Sequence, residues 1–352
     1  MKETVLKEAL GIDVSKASLS MCLGSLTNDL SKDFEPREDV TNDNQGFREL
    51  SSWLKSATKG NEKPIVVMEA TGVYHEGVAQ YLYDKGYKVS VMQSGRVKRY
   101  AQSLDQRSKT DALDSKMLSM LGCERELQTW EPPSELMQHL KSLSRERSTL
   151  IKERSIENNR QQAIESSIYQ DKRAQKRFNQ RMKLLASQLT DIEEEMLELT
   201  QSDGELSTRL TYPMSIPGVS FITAITVIAE TSGFSLIKSG KQLTSYAGYD
   251  VVLRDSGTFK GKTRISKKGN KHIRAVLHMP SMAAIRFNPT MKVFYQRLKP
   301  NKIKPIVALV AVQRKMLILM YTLWTNEENY DGEYEQKKQL ENKFLAAQDR
   351  NN

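Results

Sequence analysis

The chain predicts an α/β domain followed by a mainly helical half, with a coiled-coil connector between them. Three observations carry this. Strand-like and helix-like segments alternate over residues 10–125. Residues 134–200 contain neither Pro nor Gly and hold apolar residues in 4-3 spacing. The remainder is helical in pattern apart from one long basic loop. The expected boundaries are 1–128 for the α/β domain, 129–205 for the connector or dimerisation arm, 206–326 for the helical domain and 327–352 for a polar tail.

At 352 residues the chain is long enough for two domains and a connector. Its 53 Lys and Arg against 43 Asp and Glu give a net charge of +10, which points to a polyanionic partner, nucleic acid first. Cys22 and Cys123 make neither a disulfide framework nor a zinc cluster, so a reducing cytosol is expected. The opening residues lack the apolar core of a signal peptide. Residues 306–324 are very apolar, but Gln313, Arg314 and Lys315 interrupt them, which reads as a core helix and not a membrane span.

In order, Leu10-Gly11-Ile12-Asp13-Val14 reads as a buried strand, Ser15-Lys16 as a turn, and residues 17–23 as a return strand. Asp13 sits within the apolar run. A lone buried carboxylate is costly unless paired or bound to a metal, although a strand-end Asp also caps turns. Residues 42–59 have helical spacing, with Phe47, Leu50, Trp53 and Leu54 on one stripe. Residues 64–69 form a strand ending in Glu69. A helix over 73–85 closes at Gly86, and residues 87–92 form the next strand. A hairpin followed by strand–helix alternation predicts a mixed sheet, in which functional groups gather at strand C-termini, where Asp13 and Glu69 fall. Asp111 and Asp114 are i and i+3 on a following helix and share a face. They also fit the first turn of a capped helix. Two strand-end acids and two on one helix face make the set that a two-metal phosphoryl-transfer site needs.

Gly11 to Lys16 (GIDVSK), residues 68–82 (MEATGVYHEGVAQYL) and 107–119 (RSKTDALDSKMLS) resemble the N-terminal half of the DEDD transposases of the insertion sequence 110 family, also called bridge recombinases, with Piv-type DNA invertases as relatives. The resemblance implies a RuvC-like, RNase H-type fold for this half. It carries the acidic tetrad onto Asp13, Glu69, Asp111 and Asp114, with Mg2+ or Mn2+ as the implied cofactor.

In the connector, Pro132-Pro133 breaks the chain. Leu136, Leu140, Leu143 and Leu150 form one seam. Phe178, Met182, Leu185, Leu189, Ile192, Met196 and Leu199 form another. The polar stretch at 169–176 allows a turn, so a helical hairpin is the first expectation and one long helix the second. The arm is a spacer or a dimerisation device, and its basic residues are a solvated face or a nucleic-acid contact.

Further on, Pro217-Gly218 before the apolar helix 221–230 resembles half of a helix-hairpin-helix, whose helix start binds phosphate, or else is a plain helix start. The stretch 254–274 is dense in Lys, Arg, Gly and hydroxyls and almost free of acids. It reads as a loop or short hairpin lying on phosphate, with Arg254, Lys260, Lys262, Arg264, Lys267, Lys268, Lys271 and Arg274 as contacts, followed by a helix from Lys271. Residues 215–219 (SIPGV), 242–249 (QLTSYAGY), Ser256-Gly257 and 264–274 (RISKKGNKHIR) are similar to the C-terminal transposase domain of the same family. Tyr249 and Val251 depart from its usual Leu and Pro. The resemblance implies that Ser256 is the nucleophile, against the plainer reading of a turn serine. Ser245 and Ser266 are competitors, Ser266 more as a cap. The residues themselves give no Ser-His-Asp order.

The resemblance also implies a composite site, in which the acids of one protomer meet the serine of another in a dimer or tetramer, acting on double-stranded target and donor DNA chosen by a structured bridge RNA. The rivals are a RuvC-like junction resolvase using metal-activated water and a non-catalytic nucleic-acid-binding scaffold. The tail from Thr325 is expected to fray or form a loose helix.

Overall fold

A computed structural model of the chain describes residues 4–104, 110–168, 171–235, 237–252, 255–261, 264–298, 304–334 and 337. Arg254 and Lys262 lie outside them, as do residues 107–109 of the third motif. The chain divides into two compact units, Met1–Pro132 and Pro133–Asn352.

The first unit is built on strands β1 (Val5–Val14), β2 (Ser18–Thr27) and β3 (Lys32–Thr41), then α1 (Asn44–Ala57), β4 (Ile65–Glu69), α2 (Glu76–Asp84), β5 (Val89–Met92), α3 (Ser94–Ser103) and α4 (Asp111–Glu124). The sheet order is β3-β2-β1-β4-β5. The first three strands are antiparallel, and β4 and β5 run parallel to β1. This is the mixed, RNase H-type arrangement that the family resemblance implies. One core lies on each face. Leu10, Ile12, Val66 and Met68 pack against Phe47, Leu50 and Leu54 of α1 and against α2. Val67 and Met92 pack against α3 and α4.

β3 corrects the expectation that a helix follows the first hairpin directly. Its sequence, Lys-Asp-Phe-Glu-Pro-Arg-Glu-Asp-Val-Thr, is charged and holds a proline, so it lacks the apolar alternation of a strand. It is an edge strand, where charge and Pro36 are tolerated and discourage pairing with another chain.

The second unit begins with α5 (Glu135–Glu165) and α6 (Lys172–Gln201), an antiparallel helical pair. Leu140, Leu143 and Leu150 pack with Leu185, Leu189, Ile192 and Met196. Arg147 Nε donates to Glu193 at 2.7 Å. The pair is a hairpin and not one long helix. Further out its interior turns polar: Glu157 is buried and accepts from Arg160 and, at 2.9 Å, from Arg181 Nε, while buried Gln161 donates to Gln175.

The rest comprises α7 (Gly204–Met214), α8 (Phe221–Glu230), α9 (Gly240–Ala247), the short strands β6 (Val251–Val252), β7 (Asp255–Ser256), β8 (Phe259–Lys260) and β9 (Arg264–Ile265), then α10 (Lys271–Val276), α11 (His278–Phe287), α12 (Pro289–Leu298) and α13 (Pro305–Asn326). Their apolar side chains share one core with α5 and α6. α13 is the one described helix long and apolar enough to cross a membrane by composition, yet its Val312, Met316, Leu317 and Met320 are fully buried in that core. Gln313, which breaks its apolar run, is buried too and accepts from Tyr249 OH at 3.0 Å.

The Pro-Gly turn before α8 is a packed helix start. Ser220 caps α8, accepting from Thr223 N, and Gly218 takes φ +102° with its α-carbon against Pro280 and Ala284 of α11. The polar tail does not begin to fray at Thr325. α13 continues to Asn326, and Tyr330 is anchored by its amide to Ser215 Oγ at 2.8 Å and by its hydroxyl to Asn288 Oδ1 at 3.1 Å.

Candidate active site

Each unit carries one locus. In the first, the parallel register pairs Ile12 with Met68, so the next residues, Asp13 and Glu69, are neighbours at the strand ends. Gly11 and Val67 face α4, and strand alternation puts Asp13 and Glu69 on that same face.

α4 lies on the strands through small residues. A methyl group on Gly11 would stand 2.0 Å from Ser115 O and 2.4 Å from Ser119 N. Ser119 Oγ donates to Ala9 O at 2.9 Å, and Gly122 sits over Ala9 and Val67. The helix therefore runs antiparallel to β1. Two residues along the strand, about 6.6 Å, match four along the helix, about 6 Å. That brings the first turn of α4 level with Asp13. Thr110 caps this turn, its hydroxyl accepting from Leu113 N at 3.3 Å, and Asp111 and Asp114 both fall in it, where the helix dipole favours acids.

The same end is laced together elsewhere. Ser15 Oγ accepts from Ser18 N at 2.8 Å in the β1–β2 turn. Asn42 Nδ2 donates to Ser15 O at 2.8 Å and to Tyr74 O at 3.1 Å, joining that turn to the loop after β4.

Asp13, Glu69 and Asp114 are half-buried and Asp111 is exposed. All four carboxylates belong to one end of one sheet face. Among the described residues no three His, Cys, Asp or Glu side chains stand close enough to share an ion. The donors are hard oxygens, which suit Mg2+ or Mn2+.

Ser256 lies in the second locus. β6 pairs with β9 (Val251 with Ile265, Val252 with Arg264) and β7 with β8 (Asp255 with Lys260, Ser256 with Phe259). The segment is thus a ribbon whose tip is Gly257-Thr258, with Ser256 exposed beside it. Gly257 takes φ +55° and nothing stands within 4 Å of where its Cβ would be. Arg264, Lys267, Lys268 and Lys271 are exposed around the base of the ribbon.

Arg274 is placed differently. Its Nη1 donates to Ala247 O at 2.6 Å and Asn270 O at 3.2 Å, holding the base together. Ser266 Oγ accepts from Lys268 N at 3.3 Å, a turn role, and Ser245 is exposed on α9.

A polar node that the sequence reading missed anchors this base. Glu230, whose side chain is wholly buried at the end of α8, accepts from Arg145 of α5 at 2.7 and 3.0 Å and from Asn270 Nδ2 at 2.7 Å. Asn270 also caps α10 through His272 N and Ile273 N. Tyr246 OH donates to Glu230 O at 2.7 Å. Burial pushes the Glu230 carboxyl up, but the bonds from Arg145 and Asn270 outweigh it and hold it below the ordinary range. Burial keeps His272 below its usual value. The signal was present in the sequence: one carboxylate closing the apolar helix Phe-Ile-Thr-Ala-Ile-Thr-Val-Ile-Ala-Glu requires a partner.

Two family matches span the segments that carry these loci. Residues 10–169 match the DEDD transposase domain of the IS110 type, described as "Transposase". Residues 211–296 match the model described as "Transposase IS116/IS110/IS902 family". The chain belongs to the IS110 family of transposases. The pilin gene-inverting proteins of Moraxella bovis and Moraxella lacunata are each 27% identical over 332 residues, covering 92% of this chain and 98% of theirs. The transposase for insertion sequence element IS1111A of Coxiella burnetii is 29% identical over 124 residues, 33% of each chain. The Thermus thermophilus RuvC structure aligns at TM-score 0.24 and 11% identity over 32% of this chain and 91% of its own. Membership makes this family member a DNA recombination enzyme. The two matched segments hold Asp13, Glu69, Asp111 and Asp114 in one and Ser256 in the other.

Proposed function

We propose that the protein cuts and rejoins DNA strands through a transient Ser256–DNA phosphodiester, with the carboxylates of Asp13, Glu69, Asp111 and Asp114 acting on the same phosphoryl group across a subunit boundary of a dimer or tetramer. The single observation that carries this reading is the register of β1 and β4, which sets Asp13 beside Glu69 on the face where α4 begins with Asp111 and Asp114. The exposed tip serine on a basic ribbon supports the nucleophile's part.

In the reaction, Ser256 Oγ gives up its proton and bonds to phosphorus, and a deoxyribose oxygen leaves and takes up a proton. Attack by a hydroxyl from another strand reverses this and frees the serine. The number of phosphoester bonds is unchanged, so no energy source is consumed. Mg2+ or Mn2+ held by the four carboxylates would polarise the phosphoryl oxygens. Arg264, Lys267, Lys268 and Lys271 bind flanking phosphates, with Arg254, Lys260 and Lys262 assigned to the same role. Arg274 serves by keeping the ribbon base closed.

The reading includes a structured bridge RNA that selects target and donor DNA by base pairing, so that the protein reads backbone and shape. The paired helices α5 and α6 act as the dimerisation arm. The protein works in the bacterial cytosol at the nucleoid.

Incubating the protein and its co-purifying RNA with DNA carrying the element's ends, then denaturing, should trap a covalent protein–DNA adduct. Ser256→Ala removes the adduct and lowers strand exchange at least ~10³-fold, in the range of nucleophile losses, with thermal unfolding unchanged. An adduct surviving in that variant would assign the nucleophile to another side chain, and cleavage at full rate without one would establish water; either result overturns the reading.

A further inference from the structure

We propose that the exposed face of α3 is a track for the sugar–phosphate backbone of the DNA strand presented to the carboxylates of the first unit. This rests on the reading that those carboxylates mark the cutting site. Glu69 pairs in register with Met92, and α3 begins two residues later at Ser94. Its first turn therefore stands at the acid end of the sheet. From there α3 runs back alongside α4, with Tyr100 OH donating to Glu124 at 2.7 Å near the far end of that helix.

The charge on this helix has one sign. Its sequence, Ser-Gly-Arg-Val-Lys-Arg-Tyr-Ala-Gln-Ser, holds no acid. Val97 and Tyr100 are buried, while Arg96, Lys98 and Arg99 are exposed over about one turn. Among the described residues none of these three cations forms an ion pair, whereas exposed Lys59, Arg177 and Lys337 each meet an acid. The start of the helix is open as well. Gln93 provides no side-chain cap, and nothing lies within 4 Å of a Cβ placed on Gly95. Lys16, exposed in the turn just after Asp13, adds a cation at the same end of the sheet.

The physical need is clear. A cluster of carboxylates repels a polyanion, and fixed cations beside it offset that repulsion and set the strand's path. Arg96 and Arg99 are i and i+3 and share one side of the helix, about 4.5 Å apart along its axis, so both can meet one backbone.

The test is binding of a fluorescent 40-base-pair duplex of arbitrary sequence to the full chain in EDTA, with dissociation constants taken between 50 and 200 mM KCl. Arg96→Ala/Arg99→Ala should make the slope of log Kd on log salt shallower by about 2, since each lost phosphate contact on duplex DNA removes about 0.9. The matched variant Arg48→Ala/Lys55→Ala, on exposed positions of α1 over the opposite sheet face, should shift it by less than about 0.5. Arg96→Gln/Arg99→Gln repeats the measurement with side-chain length kept, and thermal unfolding checks each fold. Equal slopes for the α3 and α1 variants overturn the proposal. So does a change seen only with an RNA hairpin and not with duplex DNA. Binding requires no turnover, so a missing Ser256 adduct overturns the serine chemistry without altering how this slope is read.

Discussion

The acid end of the first unit and the serine ribbon of the second are built in opposite ways. Asp13 and Glu69 stand on adjacent central strands, and α4 rests directly on the β1 backbone at Gly11. Both side chains are half-buried, and their positions are set by regular elements. Ser256 sits instead near the tip of a ribbon of two-residue strands, exposed, with an open glycine beside it. In the proposed chemistry, the carboxylates hold a cation and need to be fixed in advance, since misplacement costs coordination. The proposed Ser256 nucleophile reaches a phosphate, bonds to it and withdraws, which a slender support with a firm base serves. Here the base is the node of Glu230, Arg145 and Asn270.

Substitutions that act on packing should break the first region most. Gly11→Ala forces α4 off the sheet, and urea unfolding should show a loss of about 3 kcal/mol, the upper range for overpacking, with strand exchange lost because the Asp111–Asp114 turn moves with the helix. Next comes the ribbon's anchor. Glu230→Gln should cost about 2 kcal/mol, the scale of hydrogen bonds to a charged group, read as faster amide exchange in α8 and α10.

The same residue gives a pH signature. Its folded-state carboxyl titrates below its ordinary value near 4.5. The stability it contributes is therefore complete above that value and is lost as pH falls through the depressed one. Glu230→Gln should flatten this acid limb. The smallest effect belongs to the tip. Gly257→Ala places a side chain at φ +55° but meets no neighbour, so only backbone strain is felt, about 1 kcal/mol. A larger loss from Gly257→Ala than from Gly11→Ala, measured side by side, would erase the distinction between the two regions.

Legibility followed the same division. The first hairpin and β4 were readable because their apolar runs are the cores of central strands, β5 because this edge strand is buried all the same, and the α5–α6 seam because its 4-3 spacing is what packs. Asp13, Glu69, Asp111 and Asp114 could be grouped from strand ends and i, i+3 spacing, since register and periodicity are local rules. β3 escaped because an edge strand has no need of apolar alternation. The Glu230 node escaped because its members lie 85 and 40 residues apart in the chain, and no local pattern links Arg145, Glu230 and Asn270. The tail's anchoring at Tyr330 escaped for the same reason.

The polar interior far along the α5–α6 pair has a consequence for alignment. Leucines alone would let two such helices slide past one another by a heptad at modest cost. Glu157 cannot take part in that, since any shift strands its charge away from Arg181, and Gln161 would likewise lose Gln175. Alignment is keyed at a single notch. A rod of 31 residues, roughly 46 Å at 1.5 Å per residue, thereby keeps one alignment, fixed by two glutamine side chains and one carboxylate.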